Sequence, residues 1–257
     1  NTLKQILNLI RVGTSVIWRS LPKTAFPSPE QRQFYLMSSR KPELFPRSKD
    51  GALMGPLSQF MQIVSLGWAV KLMWSVYSIV PTNLLEQVTD FYMNVFVQLV
   101  FSLAIPNIYC YSVPFASEFI HTVKLIESHY QEMSDCIASA SFDSCSVIQS
   151  GIHDSKLIKS LNQALQETII EYGDRKFQLK RAEHIRNECF KKDIPGILHR
   201  LWPNLVYAST AFGGSFSMYK DEIKFYCGEK LPLINLTAYV SSEVCFGILA
   251  SIKTNQK

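Results

Sequence analysis

Between residues 116 and 190 the apolar side chains recur at helical spacing; after Pro195 they crowd into short unbroken runs. The chain therefore reads as a helical stretch followed by mixed strands and helices. In "SEFIHTVKLIESHYQEMSDCI", Phe119, Val123, Ile126, Tyr130, Met133 and Ile137 alternate in steps of four and three, which places them on one face of a helix. Ser117 is its expected N-cap, and Glu118 sits favourably in the first turn. His121 and His129 fall off or at the edge of the apolar stripe, without partners at metal-ligand spacing. Residues 138–154 read as a polar connector. Asp154 or Ser155 then caps a helix running to Tyr172, with Leu157, Leu161, Leu165 and Ile169 on one face and Gly173 as C-cap. A charged helix follows over 174–192. Its sparse apolar side is Phe177, Ala182, Ile185 and Cys189, so it is expected to form a solvent-facing layer.

Past Pro195, a short helix closes at Trp202-Pro203, and "LVYAST" (205–210) reads as a strand. "AFGGS" breaks it. In "FSMYKDEIKFYCG", Met218 or Tyr219, Ile223 and Tyr226 have helical spacing. "LPLINLTAYV" is a second apolar strand-like run, and it leads into "YVSSEVCFG" (239–247). Short apolar strands alternating with helices argue for an α/β fold, a central β-sheet flanked by helices. Ligands of such sheets gather at the carboxyl ends of the strands. The Gly213-Gly214-Ser215 turn and the Ser241-Ser242-Glu243 turn are both expected there.

Two apolar runs need separate weighing. Residues 60–80 are long enough to cross a bilayer. Lys71 stands at the centre of that run, however, where a charge costs roughly 2.5–3.5 kcal/mol on insertion scales. Residues 91–106 are too short to span. Two buried helices, or a helix and a strand, account for both runs better than a membrane segment does. Of the 257 residues, 47% are hydrophobic and 18% charged, which supports a large core and argues against disorder. Asn1 and the closing "ASIKTNQK" are expected to bound a fragment of a longer protein.

The net charge of +5 is concentrated in residues 1–50 and 151–257, with an acidic excess between them. A solvated face is the plainer reading of the basic segments. No basic patch is interleaved with aromatics, so nucleic acid is not an expected partner. The six cysteines form no C-x-x-C pair; scattered thiols fit a reducing, cytoplasmic setting. The sequon at Asn235 falls in an apolar run expected to be buried, and reads as chance.

Candidate chemistry gathers in the last fifty residues. Tyr239 offers a ring for stacking on a purine, Ser241 and Ser242 offer hydroxyls for phosphate, and Glu243 offers a carboxylate for Mg²⁺. On spacing alone the plainer reading is favoured: a packed tyrosine, serines bonded to their own backbone and a solvated glutamate. Gly214 and Ser215 allow close backbone approach to a ligand, although Gly-Gly-Ser is also an ordinary strand-to-helix turn. The chain has no G-x-x-x-x-G-K-[ST] loop and no G-x-S-x-G elbow. His199 is a further possible base, but it reads more simply as a helix-surface residue.

Taken in order, these residues resemble the Gretchen Hagen family of auxin- and jasmonate-amido synthetases and their homologues. Trp202-Pro203-Asn204 precedes a strand. Gly214, Ser215 and Tyr219 form the family's Gly-Ser-x-x-x-Tyr entry. Tyr226, Gly228 and Leu231-Pro232-Leu233 follow, then the nucleotide motif at Tyr239, Ser241, Ser242 and Glu243. The similarity is specific over 197–249. It is looser upstream, where "ALMGP" (52–56) is similar to a "PIGP" turn and "VPFASEFIHTVKLIESHYQEM" to an "FAS" helix.

The resemblance implies part of the large N-terminal domain of an adenylate-forming enzyme, spanning residues 1–257. The phosphate loop is expected upstream. The ribose Asp, the adenylate Lys and a small C-terminal domain are expected downstream. The implied activity is an ATP-dependent acid–amino acid ligase acting on a small carboxylic acid and an amino acid, with ATP and Mg²⁺. Tyr239 would stack on adenine, Ser241 and Ser242 would line the phosphate and acyl site, Glu243 would hold Mg²⁺, and Gly214 and Ser215 would border the pocket. The spacing from Leu-Pro-Leu to Tyr239 is one residue longer than the family's usual one. Two other readings stand beside this: a relative that keeps the fold for binding or scaffolding without catalysis, and a membrane-associated protein using residues 60–106. The oligomeric state is left open.

Overall fold

Four parallel strands form the centre of the molecule, in the order in which the chain makes them. The structure is a computed structural model that describes residues 12, 15, 16, 19, 32–36, 46–52, 54 and 78–235, together with the backbone of 238–240 and 245–248. The strands of the main sheet are β1 (Arg32–Tyr35), β2 (Ile108–Phe115), β3 (Tyr207–Ala211) and β4 (Leu233–Asn235). The helices are α1 (Thr82–Leu85), α2 (Phe91–Ala104), α3 (Ala116–Ser139), α4 (Ser146–Gly151), α5 (Ser155–Tyr172), α6 (Arg175–Phe190), α7 (Ile197–Leu201) and α8 (Lys220–Cys227). A 3-10 helix at Gly214–Tyr219 precedes α8. A separate antiparallel pair, β5 (Ala238–Val240) and β6 (Cys245–Ile248), follows. The expected α/β fold, a sheet flanked by helices, is observed.

Parallel strands need crossovers, and the helices supply them. Because helices cover the sheet, consecutive residues of β2, Cys110 to Val113, are all buried, as are Tyr207 to Thr210 of β3. This is why these strands show no alternation of apolar and polar positions. The same reasoning explains α2. Twelve of its fourteen residues are buried, so it is apolar all round instead of amphipathic. Its length of about 21 Å is short of the ~30 Å hydrocarbon core of a bilayer. Among the described residues no helix is long and apolar enough to cross a membrane. Residues 60–77, the other half of that reading, lie outside the described residues.

Three helices begin at an aspartate that accepts backbone N–H bonds. Asp90 accepts from Met93 (2.9 Å), Asp154 from Lys156 and Leu157 (2.9 and 3.3 Å), and Asp174 from Phe177 (2.8 Å). Each cap contributes about 1 kcal/mol. The choice between Asp154 and Ser155 thus falls to Asp154, and Gly173 is the C-cap of α5 as expected.

Several expectations are corrected. α3 runs straight out of β2 at Ala116, with Phe115 at the N-cap position and no side-chain cap, so Ser117 lies inside the helix. The connector at 138–154 contains α4. The segment read as one helix over 216–228 is a 3-10 turn followed by α8, and Met218 is 77% exposed instead of packed. "LPLINLTAYV" is two strands in two sheets, because Leu233–Asn235 pairs with β3 while Ala238–Val240 turns away to pair with β6. Asn235 is exposed, not buried.

The charged helix α6 does face solvent along Lys176, Leu179, Lys180 and Glu183. Its inner side, however, carries the buried Arg181. That guanidinium donates to the carbonyls of Leu103 (2.7 Å), Leu201 (2.8 Å) and Ile105 (3.4 Å). Trp202, also buried, donates from Nε1 to Ser102 and Ile105 at 3.2 and 3.0 Å. The last carbonyls of a helix have no partner within it. Here an arginine and a tryptophan from later in the chain satisfy those at the end of α2, and so lock α2, α6 and α7 together.

Candidate functional site

A parallel sheet brings the carboxyl ends of all its strands to one edge. At that edge stand Tyr35 of β1, Phe115 of β2, Ala211 of β3 and Asn235 of β4. After β3 the chain makes a tight departure through Phe212, Gly213 and Gly214. The Phe212 N–H donates to Oδ1 of Asn235 (3.3 Å), and the Phe216 N–H to the Gly213 carbonyl (3.1 Å). Gly214 has φ +58°, a left-handed conformation that favours glycine, and a methyl group at its Cα would meet nothing within 4 Å. The turn therefore presents open backbone at the sheet edge, where a ligand can approach closely.

Around this turn lie aromatic and polar groups. The Phe216 ring lies 5.8 Å from that of Phe115 and 6.5 Å from that of Tyr219, and Lys220 Nζ lies 5.8 Å over the Phe212 ring. Glu118, in the first turn of α3, has its carboxyl raised by burial, against a backbone hydrogen bond from Phe115. Burial, and then the Glu118 charge, raise the Tyr35 phenol. Thr210, at the end of β3, is buried with its hydroxyl unpartnered among the described residues. The edge therefore combines an apolar aromatic wall with partly or fully buried polar groups, of which the Thr210 hydroxyl has no hydrogen-bond partner among the described residues.

Gly214 and Ser215 thus occupy the predicted place, at the carboxyl end of β3. Tyr239 does not sit in the parallel sheet. Its backbone lies in β5, opposite Gly247 of β6, so the Ser-Ser-Glu segment follows a strand of an antiparallel pair, not a parallel one. Ser241, Ser242 and Glu243 lie outside the described residues, as does the side chain of Tyr239. Connectivity still bounds the geometry. Only Leu236 and Thr237 separate β4 from β5, so the Cα of Ala238 lies within about 11 Å of that of Asn235. Asn235 in turn holds the Gly-Gly-Ser turn through Phe212. The start of β5 is thereby tethered to the corner of the sheet that carries the Gly-Gly-Ser turn.

Sequence reasoning did not single out Asn235, Thr210, Phe216 or Glu118. Asn235 was read inside one continuous apolar run, because nothing local marks where β4 ends. The others depend on which strand end lies beside which, and no local pattern marks that. Among the described residues no group of three or more His, Cys, Asp or Glu is arranged to hold a metal ion. Cavities of about 380 and 450 Å³ lie away from this edge, the first beside Asp90 and Asp154, the second beside Cys136 and Cys145.

The fold defines the class: an α/β domain with a parallel sheet, whose loops at the carboxyl ends carry the candidate site. Residues 21–233 match the GH3 family N-terminal domain, and the chain belongs to that family, the one its motifs resemble. Over 134 residues it is 36% identical to the indole-3-acetic acid-amido synthetase GH3.17 of Arabidopsis thaliana, a match covering 52% of this chain and 19% of that protein. The 4-substituted benzoates-glutamate ligase GH3.12 of the same plant is 31% identical over 134 residues, 52% of this chain and 20% of that protein. In shape, 96% of the chain matches 39% of a solved GH3.15 acyl acid amido synthetase, with a TM-score of 0.71 at 20% identity. The chain spans less than half the length of these relatives.

Proposed function

We propose that the protein to which this chain belongs is an ATP-dependent acid–amino acid ligase, and that residues 1–257 belong to its N-terminal adenylation domain. The observation that carries this reading is the family match over residues 21–233, within which the Gly214-Ser215 turn lies at the carboxyl edge of the sheet. The names of the relatives, amido synthetases and a benzoate–glutamate ligase, support a small carboxylic acid and an amino acid as substrates.

A carboxylate is a poor electrophile until AMP becomes its leaving group. The residues of this chain suit the binding part of that task. Gly214 leaves room for a phosphate against the backbone, the Thr210 hydroxyl, unpartnered among the described residues, lies just before that turn, and Phe216 with Phe115 gives an apolar wall for an acyl group. Tyr239 would stack on adenine, and Ser241 and Ser242 would hold phosphate and acyl oxygens. Glu243 would hold Mg²⁺, a single carboxylate beside substrate phosphates being the usual protein share of such a site. Bound there, Mg²⁺ would offset phosphate charge during attack at the α-phosphorus. The cytoplasm is the proposed setting.

The test is ATP–pyrophosphate exchange by the full-length protein over a panel of carboxylic acids. At least one acid is expected to support exchange, and Glu243→Ala is expected to reduce it a hundredfold or more, about 2.7 kcal/mol. Exchange that survives the substitution would remove the metal role. Nucleotide binding without exchange for any acid would move the reading to a non-catalytic relative.

A further inference from the structure

A second group of reactive side chains lies outside the sheet edge, at the far end of α3. This helix starts at the carboxyl edge of β2 and ends at Ser139, on the order of 35 Å along its axis. In its last turn Cys136 faces Cys145, the residue just before α4, with the two sulfurs within hydrogen-bonding reach. Both side chains are almost fully buried, at 2% and 4% exposure. Both nonetheless line the cavity of about 450 Å³, which Glu132, Asp135, Ser144 and Arg175 also border. A cavity of that size admits a small oxidant to sulfurs that bulk solvent barely touches.

The two thiols are not equivalent. The Cys136 thiol is pushed up, first by its hydrogen-bond contact with the Cys145 sulfur and then by burial. Cys145 is lowered to about 7 by that bond first, burial opposing it, and then by the N–H groups of Ile148 and Val147. Burial pushes Cys110, Cys189 and Cys227 up instead, to about 12 each. The thiolate is the form that oxidants attack, so the contact selects Cys145 as the attacking sulfur and leaves Cys136 beside it as the resolving one.

We propose that Cys136 and Cys145 are a peroxide-sensitive pair that closes to a disulfide. Cys145 takes one oxygen from a peroxide to form a sulfenic acid, releasing water when the oxidant is hydrogen peroxide. The Cys136 sulfur then attacks the Cys145 sulfur, the S–S bond forms, and the hydroxyl leaves with the Cys136 proton as a second water. Two electrons pass from the two thiols to the peroxide. The bridge ties the end of α3 to the start of α4, remote from the candidate site.

Hydrogen peroxide treatment of the reduced full-length protein, then alkylation under denaturing conditions and peptide mapping, tests this. Alkylation of Cys136 and Cys145 is expected to fall more than tenfold, with recovery of one cross-linked peptide pair that dithiothreitol separates. Cys110, Cys189 and Cys227 are expected to keep their label. In Cys136→Ser, dimedone is expected to trap the sulfenic acid on Cys145. The proposal is overturned if both thiols of the unmutated protein stay alkylated at peroxide doses that oxidise free glutathione, or if either bridges elsewhere. Mapping the unmutated protein decides the matter even where a variant fails to fold.

Discussion

Arg181 shows how far a side chain's role can lie from its local pattern. In the sequence it is one of several basic residues on a charged helix. In the fold it is buried, and its guanidinium serves three carbonyls, one in α2, one at its C-cap Ile105 and one in α7. Burial lowers it to about 10, which still leaves it charged at neutral pH. Removing it strands buried acceptors, each worth about 1–3 kcal/mol when unsatisfied. Arg181→Met is therefore expected to lose about 3 kcal/mol in denaturant unfolding at pH 7, and a loss under about 1 kcal/mol would contradict this account. Trp202 has the same character. As a motif residue it reads as part of a family signature; as a side chain it is fully buried and caps the same helix end.

Within a single helix, α3 is not uniform. His129 leaves helical geometry, with φ −123° and ψ 17°, and the helix kinks there. Tyr92 of α2 meets His129 Nε2 at 2.9 Å, and His129 Nδ1 meets Glu132 at 2.7 Å. Ser146 at the start of α4 donates to the other carboxylate oxygen of Glu132. Burial alone would raise Glu132, but the bonds from Ser146 and His129 outweigh it and hold the carboxyl below its ordinary 4.5. A lowered carboxyl supplies stability that is fully present above the unfolded value and is lost as pH falls through the folded one. Glu132→Gln is expected to be less stable than the parent at pH 7, with the gap closing as pH falls below about 4.5. Denaturant midpoints of both proteins from pH 7 to pH 3 check this; a constant gap would show that the ionised form is not what matters. The apolar stripe of α3 was legible because each position faces one core. The kink was not, because its cause lies on α2 and α4.

For the whole molecule, the close approach of Gly196 and Gly228 joins the start of α7 to the end of α8. Gly228 has φ +72°, and a methyl group there would stand 2.9 Å from the Gly196 Cα, backbone that cannot swing aside. Gly51 has φ +85° in open space. Gly51→Ala therefore tests conformational strain alone, and is expected to lower Tm by about 2–4 °C. Gly228→Ala adds overlap between two elements, and is expected to lower Tm at least about twice as far. Equal shifts in thermal melts would mean that the contact does not bind the elements together. The "Y-x-G-x-L-P-L" motif at Tyr226, Gly228 and Leu231-Pro232-Leu233 thus has a packing reason as well as a family one.

By itself the sequence determined the α/β class, the amphipathic faces of α3 and α5, the C-cap at Gly173 and the family. Each rests on local periodicity, on turn chemistry or on motif order, all of which survive in one dimension. Only the tertiary structure decided that Leu233–Asn235 and Ala238–Val240 belong to different sheets, since both are equally apolar and only their partners differ. It also decided which strand ends share an edge, bringing Phe115 beside Phe216, just after the Gly214-Ser215 turn and about a hundred residues later. Parallel pairing is long-range by construction, so the neighbours that make up a site at a sheet edge are set by the fold and not by the adjacent sequence.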